Sequence, residues 1–271
     1  MQCTESLKES LFDVILIAAG AENELLLKTK EGRLKGNAMT RAGIVLLCGY
    51  FEGYIRDIVT EFADTVNDER VDINSLPEPL FLSVIEGVAA ISNYQKKLPE
   101  LVKLRGSIKA SQNYDLDRKK LSNTGGNPTV DTIEGIFARL GIINAVDVLS
   151  INDFGVSSTF VSESQAEHLR VKLEQKISLH CQQHDSDLIE HLISVIESKW
   201  SPSRKRRKVG YVHAIEELLR IRNLIAHGEG REPVLPSELL AHAEKVECIA
   251  VGLDGMVSSL ITDLCVQTLK A

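Results

Sequence analysis

Apolar residues recur at three- and four-residue spacing along most of the chain, and strict alternation is scarce, so the pattern predicts an all-α protein. Leu7 to Leu27 reads as a first helix. Met39 to Val66 reads as a second, with Ile44, Leu47, Phe51, Ile55, Ile58 and Phe62 on one stripe. Pro77 and Pro79 mark a turn before a third helix, about Leu80 to Lys96. The stretch Gly106 to Pro128 is polar and holds the breaker cluster Gly125-Gly126-Asn127-Pro128. A short helix from Thr129 to Leu140 and a loop around Asn152 to Ser162 come next. Apolar runs between about Leu98 and Phe160 are too short to bury a separate core, so 98–160 reads as an insertion in a single domain, 1–271. Helices of about Glu163 to Gln182 and Asp185 to Lys199 precede the loop SPSRKRRK. The next helix spans about Gly210 to His227, and the last runs from a Ser237 cap to Leu269.

Composition narrows the class of protein. With 271 residues, 44% of them hydrophobic, the chain is long enough for one large core. Five cysteines, Cys3, Cys48, Cys181, Cys248 and Cys265, are scattered and never form a CxxC pair, which points to a reduced intracellular, cytoplasmic setting. The start MQCTESLKES lacks the basic head of a signal peptide, and no run is read as long enough to span a bilayer, so no membrane partner is expected. The net charge of −7 argues against indiscriminate nucleic-acid binding. It is unevenly spread: eight basic and two acidic residues between Lys199 and Arg222 make a local +6 and leave −13 on the remainder.

Beside that basic island stands the hexad Arg222-Asn223-Leu224-Ile225-Ala226-His227, followed by Gly228. It gathers a permanent cation, a neutral amide and a titratable imidazole within two helical turns. Asn223 and His227, four apart, share a face, whereas Arg222 sits roughly 140° around the cylinder from His227. Two such helices meeting across a twofold contact would let each Arg address the partner's His, so the spacing favours a homodimeric site. Gly228 is a natural helix end, which puts His227 at the negative pole of the helix dipole, a place suited to a group that carries a proton. The bare Arg-to-His spacing is weakly specific, since Arg206 and Arg207 stand similarly before His213. That second match crosses Gly210 and starts in a charge run. A plainer reading also stands, in which Arg222 pairs with a surface carboxylate and His227 caps the helix.

The residues Arg-Asn-Leu-Ile-Ala-His-Gly resemble the signature of the HEPN superfamily. Arg41 to Ile58, RAGIVLLCGYFEGYIRDI, and Asn127 to Ile142, NPTVDTIEGIFARLGI, resemble the long early helix and the short middle helix of its prokaryotic MAE-like and RiboL-PSP-like branches. The resemblance implies a HEPN-type bundle of long antiparallel helices and a metal-independent endoribonuclease with no cofactor. It implies Arg222 and His227 as the catalytic pair, Asn223 as the polar residue beside the Arg, and Glu52 as an acidic brace. Attack by the ribose 2′-hydroxyl would leave 2′,3′-cyclic phosphate and 5′-hydroxyl ends. A role as a toxin or antiviral effector, held by a regulatory partner such as an antitoxin or a sensor ATPase, is implied likewise. Members silenced by nucleotide transfer carry a Tyr two residues after the His, where this chain has Glu229.

Several features carry competing readings. Glu52 and Arg56, four apart, also fit a simple surface pair. Arg204, Lys205, Arg206, Arg207 and Lys208 fit an RNA-phosphate patch, a solvated loop or a nuclear import signal. His180, Cys181 and His184 lack a third and fourth ligand at finger spacing, so a polar helix end is the better reading and no metal site is expected. No nucleophile elbow and no glycine-rich phosphate loop appears. From another class, a non-catalytic helical module that dimerises or binds a partner accounts for the same helices.

Overall fold

The computed structural model describes residues 1–124, 126–160, 206–228 and 233–268. The expected helices 163–182 and 185–199, the His180, Cys181 and His184 group, Glu229, and Arg204 and Lys205 lie outside the described residues. Helices are α1 (Gln2–Leu26), α2 (Lys30–Asp68), α3 (Glu78–Ala89), α4 (Tyr94–Ala110), α5 (Arg118–Leu121), α6 (Val130–Leu140), α7 (Ala145–Phe154), α8 (Gly210–Ala226) and α9 (Pro236–Thr268). Among the described residues there is no strand, only an isolated antiparallel bridge between Phe160 and Arg206. The fold is all-α, as the periodicity predicts.

Two compact units divide the chain: residues 1–145 with 217–271, and residues 146–216. Residues 98–145 thus fall in the first unit and 146–160 in the second.

In the first unit, α1, α2 and α9 pack on one another. Every member of the expected α2 stripe, Ile44, Leu47, Phe51, Ile55, Ile58 and Phe62, is buried. Leu7, Leu11, Val14 and Ala18 of α1 and Leu239, Val246, Ile249 and Leu253 of α9 fill the space around it. Each such large side chain contributes about 1.5–3 kcal/mol on burial. Helix α9 runs in the same direction as α2: Leu239 lies where a Cβ on Gly43 would be, and the Tyr54 hydroxyl donates to the Ala250 carbonyl at 2.7 Å.

Helix α2 starts at Lys30 rather than near Met39, with Thr29 as its N-cap accepting from the Gly32 amide at 2.9 Å. Gly32 and Gly36, which weaken the helical pattern, are there for contact. A Cβ on Gly32 would stand 2.3 Å from the Glu24 carbonyl, and one on Gly36 would stand 3.0 Å from that of Ala21. Helix α1 likewise starts earlier than expected, because its first amides find acceptors outside the helix: Glu61 of α2 takes the N–H groups of Gln2 and Cys3 at 2.8 and 2.9 Å. Burial would raise the Glu61 carboxyl, but those two amides, with the Cys3 thiol and the N-terminal ammonium, together hold it below its ordinary range.

The third expected helix is two. Helix α3 stops at Ala89, and Asn93 caps α4 by accepting from the Gln95 amide at 2.9 Å. Helix α4 continues through Pro99 into the stretch read as polar loop. Beyond it the chain is stitched to α2, because Asn67 both donates to the Leu116 carbonyl and accepts its amide, and Arg118 pairs with Asp64 at 2.5 Å. Helix α6 begins at a Thr129 cap and ends at Gly141, whose φ of +98° only glycine adopts readily.

One expectation is corrected by α9. With 33 residues and few charges, it is long and apolar enough to cross a membrane, by length and composition alone. The reading missed it because Asp254 interrupts the run and the Glu244-Lys245-Glu247 cluster precedes it. Its face toward α1 and α2 is buried.

Three substitutions test this packing. Gly32→Ala should cost about 1–3 kcal/mol in denaturant unfolding, since backbone must move. The helical but open Gly106→Ala should gain about 0.5–1 kcal/mol. Because the folded Glu61 carboxyl is held low, its contribution is full above the ordinary carboxylate range and is lost as pH falls through the lowered value. Glu61→Gln should therefore melt below wild type at neutral pH, and the gap should close in acid.

Candidate functional site

Helix α8 carries the hexad in its last two turns, within the first unit. Its end forms as the sequence requires: the His227 amide still donates to the Asn223 carbonyl at 3.0 Å, and Gly228, at φ +70°, donates to Ile225 at 3.2 Å. The His227 backbone is therefore fixed by the helix while its imidazole stands exposed, with no hydrogen bond to any described residue.

Arg222 and Asn223 are half-buried. The Arg222 Nη1 donates to the Asn223 Oδ1 at 3.0 Å, so the two neighbours form one polar unit, with the amide orienting one arm of the guanidinium fork. Arg222 has no carboxylate partner among the described residues, which removes the plain surface-pair reading within them. Nor does it bond His227; the structure joins Arg222 to Asn223 and leaves the imidazole apart. Ile221, Leu224 and Ile225 on the same turns are only half-buried.

Arg222 lies within electrostatic reach of Cys48 on α2. Burial pushes the Cys48 thiol up to about 12, and the Arg222 guanidinium pulls against it. Glu52, four residues on, shares that face of α2. It is half-buried and pairs with no described residue, Arg56 included. Arg41 stands on the same face seven residues before Cys48, and its Nε is buried with no acceptor. The sequence reading passed over Cys48 and Arg41; the signal available was their helical register with Glu52, since 41, 48 and 52 fall within about 40° of one another.

Of the basic island, Arg206, Arg207 and Lys208 belong to the 146–216 unit, where the two arginines hold their own loop. Arg206 lies over the Phe160 ring at 4.4 Å. The Arg207 Nη1 donates to the Ser158 carbonyl at 3.1 Å, and its amide donates to the Thr159 carbonyl at 2.6 Å. Asp147 accepts from the Thr159 amide at 2.6 Å and from its hydroxyl. Lys208 is the outward-facing member, 3.5 Å from Glu216. Among the described residues no group of His, Cys, Asp and Glu could hold a metal ion.

The burial of the Cys48 face has a direct readout. Iodoacetamide at about pH 8 should modify the exposed Cys248 and spare Cys48, as followed by peptide mass spectrometry. Equal labelling of the two would contradict this placement.

The chain matches the family model described as RiboL-PSP-HEPN over residues 21–255, a span that takes in α2, α8 and most of α9. No curated protein and no solved structure matches it. The match covers most of the sequence, and the chain belongs to the RiboL-PSP-HEPN family, within HEPN proteins that commonly act as ribonucleases.

Proposed function

We propose that the chain is a metal-independent endoribonuclease whose site is formed by Arg222, Asn223 and His227, with Glu52 as a brace. The observation that carries this reading is a half-buried guanidinium that no described carboxylate neutralises, held by an adjacent amide on the helix that ends at the exposed His227. A cation kept partly out of water without an anion is costly, and a phosphate supplies the missing charge.

In this reading the RNA brings its own nucleophile, the ribose 2′-hydroxyl. His227 takes that proton or gives one to the departing 5′-oxygen, since an imidazole exchanges protons near neutral pH. Arg222 presents its fork to two phosphate oxygens and opposes the charge that builds on them. Asn223 accepts from one arm of that fork, and its own amide N–H groups remain to orient a phosphate oxygen. The products carry 2′,3′-cyclic phosphate and 5′-hydroxyl ends, and DNA, lacking the nucleophile, is not cut.

The half-buried Ile221, Leu224 and Ile225 support a homodimer through α8, in which Arg222 of one subunit serves with His227 of the other. Arg204, Lys205, Arg206, Arg207 and Lys208 are proposed to bind RNA phosphates, Lys208 being the most open of those described. A cytoplasmic toxin or antiviral effector fits such an activity. An antitoxin or sensor ATPase would restrain it.

The test is RNA cleavage in EDTA with analysis of the product ends. Wild type should yield cyclic phosphate ends, and Arg222→Ala and His227→Ala should each lose about 10²–10⁴-fold. Mixing the two inactive variants should restore part of the activity, because a mixed dimer keeps one complete pair. RNA left intact by wild type, with candidate activators added, would favour a non-catalytic dimerisation or partner-binding module.

A further inference from the structure

We propose that Arg41 of α2 is a second phosphate-binding residue of this site, holding an RNA phosphate beside the one that Arg222 engages; the inference rests on the RNA-binding part of the reading above. Arg41 is only partly exposed, and its Nε is sealed from solvent with no acceptor. It makes no ion pair with any described residue. What sets Arg41 apart is that part of its guanidinium is buried and yet finds no acceptor. Arg41 lies on the face of α2 that carries Cys48, the residue within electrostatic reach of Arg222.

Helical register gives their relation. Arg41 and Cys48 are seven residues apart, two turns along one face and about 10 Å along the axis. Cys48 lies within reach of the Arg222 charge. Helix α9 starts level with this end of α2, since Leu239 lies against Gly43. Through its reach to Cys48, Arg222 addresses the face of α2 on which Arg41 stands two turns away. A strand of RNA held at Arg222 and His227 would then pass Arg41 with its neighbouring phosphate. Arg41 has no proton to exchange at neutral pH, so its part is binding and register rather than bond breaking.

The test measures binding and cleavage separately. Binding uses a fully 2′-O-methylated oligonucleotide, which has phosphates but no attacking hydroxyl, titrated over a range of salt. Arg41→Ala should weaken binding several-fold and make the log–log salt slope shallower by about 0.7, the value for one phosphate contact on a single strand. Arg41→Lys should recover part of both and guards against a folding defect, with melting curves run beside it. In cleavage of unmodified RNA, Arg41→Ala should act mainly on KM, whereas Arg222→Ala should act on kcat. An unchanged slope and KM in folded Arg41→Ala overturns the inference while leaving the nuclease reading intact. A wild type that binds with an Arg41-dependent slope yet never cuts overturns the nuclease reading alone. No binding by wild type overturns the Arg41 role outright.

Discussion

The close approach of α1 and α2 at Gly32 and Gly36 is the constraint on which the rest of the first unit depends. With no side chain at either position, backbone of one helix meets backbone of the other, at Glu24 and Ala21. The hairpin closes tightly enough for the buried stripe from Ile44 to Phe62 to be shared with α1 and α9. Glu61 fastens the opposite end by taking the first amides of α1. With α2 held at both ends, Arg41, Cys48 and Glu52 share one face at a fixed register, and Cys48 lies within electrostatic reach of Arg222.

Much of this was written in the hydrophobic pattern. The α2 stripe, the start and end of α8, and the Thr129-to-Leu140 helix were legible because burial there follows the helical period without interruption. The misplaced boundaries share a cause: local signals were overruled by partners distant in sequence. Gly32 and Gly36 weaken a helix by propensity, yet here they let two helices touch. Pro99 reads as a stop, yet α4 runs through it. The segment around Leu116 reads as loop, yet Asn67 binds both its amide and its carbonyl. The membrane-length character of α9 was hidden by Asp254, which the fold uses to bind the Thr4 hydroxyl at 2.6 Å.

The candidate site was legible as a list and not as an arrangement. Spacing placed Asn223 with His227, but the side chains join Arg222 to Asn223 instead. Helical periodicity describes Cβ directions, and a long guanidinium stem is free to fold back on its neighbour. The relation of Arg222 to Cys48 lies between elements far apart in the chain, where single-sequence periodicity carries no information.

The ending of α8 has one more consequence. The main chain of His227 is fastened by its bond to Asn223 and by the left-handed turn at Gly228, while the ring beyond it is untethered to any described residue. A rotor with a clamped pivot must be stilled before it can pass a proton in a defined direction, at an entropic cost on the order of 1 kcal/mol. That cost falls due only when something lies against the ring, so whatever docks there meets a side chain still to be ordered.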